Sequence, residues 1–205
     1  MRESRPELFR GRHFRDEVIV LCVRWYLRYP LSYRNLEEMM AERGLAVDHS
    51  TVARWVLTYA PILNERIRSE MRHPNRSWRV DETYVRVAGQ WTYLYRAIDS
   101  AGNTIDFLLS PKRDLIAAKG FLQLALCRVA ERPRVINVDG HPAYRPAVEE
   151  LKRSGHLAHR CQCRRSPYLN NTLEQDHRFL KKRLTASQWF RSVDGALNTI
   201  AGYEA

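Results

Sequence analysis

"WRVDETYVRVAGQWTYLYRAIDSAGNTIDFLLS", residues 78–110, is dense in β-branched and aromatic residues. It is cut twice by turn residues, at Ala88-Gly89 and over Ser100 to Asn103. Runs of this kind joined by short Gly-containing turns read as an antiparallel meander, with strands expected over 78–87, 90–99 and 104–110. Asp81 falls inside the first strand. A carboxylate in the middle of an apolar strand costs free energy unless something answers its charge. Alternation puts Asp81 on the side of Arg79, Thr83 and Val85, with Val80, Glu82 and Tyr84 on the other.

Downstream the period changes. "DLIAAKGFLQLALCRVAE" (114–131) reads as a helix, and "RPRVINVDG" (132–140) as a short apolar strand ending in Asp139 and Gly140. A helix is expected at about 142–153, then a basic loop, then a helix within "PYLNNTLEQDHRFLKKRL" (167–184), and a last one starting near Val193. The order βββαβα with a following α places the chain in the α/β class. Ligands of open α/β sheets gather outside the carboxyl ends of strands, where Asp139 lies. On the late helix Glu174, His177 and Lys181 stand at i, i+3 and i+7 and share one face.

Three converging carboxylates, Asp81, Asp139 and Glu174, suit Mg2+ or Mn2+, hard cations that take oxygen ligands. Two such ions about 4 Å apart are a common device for breaking and joining phosphodiesters. Each residue also has a plain structural reading. Asp81 could pair with an arginine in the sheet, Asp139 could open an Asp-Gly turn, and Glu174 could be a solvated helix residue. Their joint occurrence in one βββαβα frame favours the site.

Upstream the pattern is helical. "FRDEVIVLCVRWYLRY" (14–29) is a helix ended by Pro30. Ser32 can cap a second helix over 33–43, with Gly44 just past its end. Asp48 or Ser50 can cap a third, "STVARWVLTY" (50–59), with Pro61 ending it or opening the next. Two short helices joined by a tight Gly-containing connection form a helix-turn-helix, whose second helix enters the major groove. His49, Ser50, Thr51 and Arg54 are then the residues placed to touch DNA; an ordinary three-helix bundle is the alternative. The expected organisation is a helical DNA-binding domain over 1–70, a polar linker over 71–77 and a catalytic domain over 78–205.

The composition bounds the partners. The chain has 205 residues, 44% of them hydrophobic, so it can bury a core. A net charge of +11 favours a polyanion, because Lys and Arg displace counterions from nucleic-acid phosphates. A polybasic membrane surface is the competing partner. The longest apolar run, Val18 to Val23, is too short to span a bilayer, and "MRESRPELFR" lacks the apolar stretch of a signal peptide, so a cytoplasmic location is expected. In a reducing compartment Cys22, Cys127, Cys161 and Cys163 are free thiols. The spacing of His156, His159, Cys161 and Cys163 does not follow the usual structural zinc patterns.

Four stretches carry a resemblance. "GRHF", "VRWYLRYPLSYRNLEEMMAERG" and "VDHSTVARWV" resemble the N-terminal region of the DDE transposases of the insertion sequence six family. "VDETYVRVAGQWTYLYRAIDSAGNTIDFLLS", "NVDGHPAY" and "YLNNTLEQDHRFLKKR" are similar to the segments that hold that family's three acidic residues. The match puts these on Asp81, Asp139 and Glu174, with 34 residues between the last two (positions 140 to 173). The family's lysine, seven residues beyond the glutamate, falls on Lys181.

The resemblance implies an RNase H-like (retroviral integrase-type) catalytic core preceded by an all-α helix-turn-helix domain. It implies an enzyme that cuts and rejoins DNA at the ends of a mobile element with Mg2+ or Mn2+, two ions held by Asp81, Asp139 and Glu174. Lys181 would be catalytic and contact DNA near the scissile phosphate, with His177, Lys182 and Arg183 nearby. The implied partners are double-stranded DNA, as terminal inverted repeats and target, and further copies of the chain on that DNA. The implied location is the nucleoid of a bacterium or archaeon. Family members continue past "GYEA", so the helix near Val193 is expected to be cut short. The alternative is a catalytically impaired chain that binds element ends as a repressor or inhibitor. A junction-resolving nuclease with the same core would leave the helix-turn-helix region unexplained.

Overall fold

The computed structural model describes residues 6–70, 73–166, 171–186 and 189–203, apart from the side chains of residues 68, 69, 171–176 and 179. The chain divides into two compact units, Met1–Glu70 with Lys182–Ala205, and Met71–Lys181. One boundary coincides with the expected end of the helical domain. The expected linker, 71–77, overlaps the first strand at Ser77, and its residues 71 and 72 lie outside the described residues.

In the helical unit, α1 spans Asp16–Arg28, α2 Tyr33–Ala41 and α3 His49–Glu70. Ser32 caps α2 reciprocally with Asn35: its hydroxyl accepts from the Asn35 N–H at 3.1 Å, and the Asn35 side chain accepts from the Ser32 N–H at 2.9 Å. Of the two candidate caps for α3, Asp48 fills the role; its carboxylate accepts from the Ser50 N–H at 2.8 Å. The apolar stripes of the three helices, including Ile19, Leu36, Met40, Val52, Trp55 and Val56, form one buried cluster.

Pro61 neither ends α3 nor opens a new helix; α3 runs through it. Proline has no N–H, so the Leu57 carbonyl four residues earlier loses its helical donor. Asn198 supplies one, donating to the Leu57 carbonyl at 3.4 Å. Asn198 belongs to the last helix, Val193–Tyr203 (α7), which packs on α3. Gly202 permits the approach: a Cβ there would lie 2.6 Å from that of Ala60 and 2.8 Å from Leu27. Residues 182–205 thus group by contact with the N-terminal helices. The apolar side of α7, Ala196 and Ile200, is buried there.

The second unit holds the meander as expected, β1 (Ser77–Val87), β2 (Gln90–Asp99) and β3 (Thr104–Ser110). There follow α4 (Leu115–Cys127), β4 (Val135–Val138), α5 (Tyr144–Arg153), β5 (Gln162–Arg165) and α6 (Asn171–Ala186), whose residues from Lys182 onward group with the helical unit. The five strands form one mixed sheet in the order β3-β2-β1-β4-β5, with β4 parallel to β1 and β5 parallel to β4. β5 replaces part of the expected basic loop. Its sequence, Gln-Cys-Arg-Arg, has no apolar alternation; pairing with β4 makes it a strand. One sheet face is covered by α4 and α5, and its core includes Trp78, Val80, Tyr95, Phe121, Ile136 and Tyr144. Among the described residues no helix is long and apolar enough to cross a membrane.

Trp55 is 5% exposed and meets Phe14 edge-on at 5.3 Å. Trp55→Ala should cost about 3–5 kcal/mol, the loss typical of a buried aromatic. Denaturant unfolding of the full chain, read by far-ultraviolet dichroism, checks this. An unchanged midpoint would mean that Trp55 does not bear on the helical core.

Candidate active site

The pairing of β1 with β4 fixes the site. Their parallel register ends at Val80 opposite Val138. One step further on each strand come Asp81 and Asp139. In-register parallel neighbours lie about 4.8 Å apart and send their side chains to the same side. Asp139 therefore reaches Asp81 where β4 leaves the sheet, at the carboxyl end of the strand. Gly140 lets the chain turn away there. Its φ is +111°, and a Cβ on it would lie 2.4 Å from Nε of Arg165.

Along β1 the buried side changes at this point. Trp78 and Val80 are buried, then Thr83, Val85 and Val87, while the register with β2 runs unbroken. Asp81 and Glu82 lie at the changeover. Strand alternation predicts opposite sides for them, yet one carboxylate oxygen from each of Asp81, Glu82 and Asp139 lies within 4.8 Å of the other two. Asp81 bends back along its own strand, its Oδ1 accepting from the Glu82 N–H at 2.9 Å.

Glu82 was not among the candidate residues. Its side chain is 2% exposed, and its carboxylate accepts from the Tyr144 hydroxyl and from the Arg113 guanidinium. Arg113 also donates from Nη2 to Oδ2 of Asp139 at 3.3 Å. The other Asp139 oxygen accepts from the His141 N–H at 2.8 Å. The available signal was the acidic pair Asp81-Glu82 in an apolar strand, which demands a cation from elsewhere in the chain.

The electrostatics follow. Burial, reinforced by the neighbouring charges of Glu82 and Asp139, pushes the Asp81 carboxyl up to about 7, against the Glu82 N–H and Arg113, which pull it down. Burial works against the Arg113 charge, but Glu82 and Asp139 outweigh it and hold the guanidinium above its usual pKa. Burial, then Glu82, pushes Tyr144 far up, so its hydroxyl stays a donor.

His177 departs from its expected role at DNA. It is 6% exposed, and its Nδ1 lies 3.8 Å from Oδ2 of Asp81. Burial, helped by Arg96 and Lys181, pushes the imidazole down to about 3, so it is neutral. The reason is the helix stripe: His177 and Leu180, at i and i+3 on α6, are both buried. Arg183 departs likewise. It is buried in the helical unit, donating to the Arg28 carbonyl at 3.0 Å with its guanidinium 5.1 Å from the Tyr203 ring. Lys181 and Lys182 are exposed. Glu174 is on α6, one turn before His177; its side chain lies outside the described residues.

At the start of α3, Ser50 and Arg54 are exposed, and Arg54 donates to the Thr51 hydroxyl at 2.9 Å. His49 is held between carboxylates, 2.9 Å from Glu37 of α2 and 3.4 Å from Asp48. It braces the corner between α2 and α3.

The family model described as "DDE domain" (DDE_Tnp_IS240) matches residues 75–205. The transposase for insertion sequence-like element IS431mec of Staphylococcus aureus is 41% identical over 196 residues, which span 96% of this chain and 85% of that protein. The transposase for insertion sequence element IS257 in transposon Tn4003, from the same species, is also 41% identical over the same shares. Among solved structures, the HTLV-2 integrase catalytic core domain in complex with magnesium (dimeric form) gives a TM-score of 0.44 at 19% identity, over 56% of this chain and 72% of that one. The simian T-cell lymphotropic virus intasome in complex with PP2A regulatory subunit B56 gamma gives 0.48 at 18% identity, over 64% and 48%. From the matched DDE domain and the two Staphylococcus aureus relatives, the chain belongs to the DDE transposases of the insertion sequence six family, enzymes of DNA transposition.

Proposed function

We propose that Asp81, Asp139 and Glu174 form the catalytic centre of an RNase H-like core that cuts and joins DNA at the ends of an insertion sequence. The observation that carries the reading is the β1–β4 register, which sets Asp81 beside Asp139 at the carboxyl end of a strand. Glu174 follows from its place on α6, one turn from the residue that touches Asp81.

The donors fit a hard divalent cation. Asp81 and Asp139 offer carboxylate oxygens within 4.8 Å of each other in a partly buried site, where burial raises the Asp81 carboxyl to about 7. Two Mg2+ or Mn2+ ions bound there would activate the attacking water or 3′-hydroxyl and stabilise the leaving oxygen of a phosphodiester. Asp81 and Asp139 hold their oxygens on one side of the sheet edge. Lys181, exposed two turns beyond Glu174, binds a phosphate of the strand being cut, and Lys182 extends that contact. The neutral His177 backs Asp81 from inside.

The start of α3 reads element-end DNA through Ser50, Thr51 and Arg54, with His49 bracing the turn. The partner is double-stranded DNA, terminal repeat and target, and several copies of the chain act together on it in the cytoplasm. A chain that only binds ends, as a repressor, would have no use for the paired aspartates.

The test is strand cleavage and transfer on paired element ends with Mg2+, using the full chain. Asp81→Asn, Asp139→Asn and Glu174→Gln should each drop cleavage to background while leaving end binding intact. Arg54→Ala should weaken end binding by about 1–3 kcal/mol if it reads a base edge. Equal cleavage by the parent and the three variants would remove these carboxylates from the reaction.

A pH effect follows from Asp81. Its metal-free pKa of about 7 lies above the unfolded value of about 3.9, so the folded state holds the proton more tightly. Stability from this group is full below pH 4 and falls as pH rises through 7. In EDTA, the melting temperature of Asp81→Asn relative to the parent should therefore rise between pH 5 and pH 8. A difference that stays constant across that range would contradict the assignment.

A further inference from the structure

The ion pair of Glu82 and Arg113 stands beside the two aspartates with no part in the proposed reaction. Glu82 is almost wholly inaccessible and points to the α4 and α5 side, where Tyr144 and Arg113 bond it. Arg113 comes from the segment between β3 and α4, far in sequence from both Asp81 and Asp139. Its Nε and Nη2 both engage Glu82, and Nη2 continues to Asp139. Asp139 is thus gripped at both oxygens, by the His141 N–H on one and by Arg113 on the other. Asp139 follows the last paired residue of β4, where the strand leaves the sheet. Without the two grips its carboxylate would be free to rotate.

We propose that Arg113, anchored by Glu82 and Tyr144, is a positioning residue that fixes the Asp139 carboxylate for the divalent cation. The inference rests on the reading of Asp81 and Asp139 as metal ligands. Glu82 itself faces the guanidinium and the phenol, and takes no part as a ligand. Its charge is matched by Arg113, so the pair adds geometry to the site at nearly no net charge. A buried carboxylate costs too much to keep unless a partner answers it, and here the partner is also aimed at a residue of the reaction. Groups that orient metal ligands in this way typically change metal affinity or activity 10- to 100-fold, about the same range expected here.

The charge balance gives a clean test. The double variant Glu82→Gln with Arg113→Gln removes one negative and one positive charge together, keeps the shape of the buried glutamate and removes the grip on Asp139. The double variant leaves no buried charge of the pair without its partner, the strongly destabilising case, so it should fold. Binding of Mn2+ to the full chain, followed by the electron paramagnetic resonance of the free ion, should weaken about 10- to 100-fold in the double variant. The half-saturating Mn2+ for strand cleavage should move with it, while near-ultraviolet dichroism stays that of the parent. Arg113→Lys keeps the charge but loses the fork, and should weaken Mn2+ binding in the same direction. Parent-like Mn2+ binding by the folded double variant overturns the proposal. So does parent-like binding by Arg113→Lys, which would leave only a charge effect. Asp139→Asn separates the two levels: if it binds Mn2+ like the parent, the metal-ligand reading has failed rather than the role of Arg113.

Discussion

The parallel pairing of β1 with β4 is the constraint on which the site depends. Val80 opposite Val138 sets the next residues, Asp81 and Asp139, side by side. A shift of one residue would send the two carboxylates to opposite faces, because the side-chain period of a strand is two. The register is held by the core on the α4 and α5 side, where Trp78, Val80, Ile136 and Val138 are buried in one cluster. The chemistry of the sheet edge is therefore fixed by apolar packing one and two residues away. Mutations in that packing would move both aspartates together.

The second physical theme is unbalanced charge. Asp81, Glu82 and Asp139 are crowded into one place, and the guanidinium of Arg113 answers part of their charge. Partial burial, reinforced by like charges at these distances, raises the proton affinity of Asp81. The same conditions favour a divalent cation, which needs no proton and neutralises more charge. In the proposed reading a strongly basic chain keeps this small acidic centre because the metal and the DNA backbone would meet there, with Lys181 exposed two turns beyond Glu174 on α6.

Much of the fold is legible in the sequence because it rests on local pattern. The meander follows from β-branched and aromatic runs separated by Ala88-Gly89 and Ser100 to Asn103, and α2 from its Ser32 cap. The aspartates are legible as charges in apolar strands. What is not legible depends on distant partners. α3 continues through Pro61 because Asn198, remote in sequence, donates to the carbonyl that proline leaves bare. β5 exists only as the parallel neighbour of β4. His177 and Arg183 look like further cations of a DNA-binding helix, yet both turn inward, one toward Asp81 and one toward Arg28 and Tyr203. Glu82 and Arg113 are far apart in the chain, and strand alternation alone points Glu82 away from the site.

The central claim is that Asp81 and Asp139, with Glu174, hold the divalent cation. Anomalous diffraction from crystals of the chain with element-end DNA and Mn2+ tests it most directly. The account predicts a Mn2+ peak at about 2.1–2.2 Å from one oxygen each of Asp81 and Asp139, the range of hard-cation carboxylate bonds, with Glu174 completing the site and Glu82 still on Arg113. A peak coordinated by Glu82 in place of Asp81, or Mn2+ bound only away from the end of β4, would contradict it.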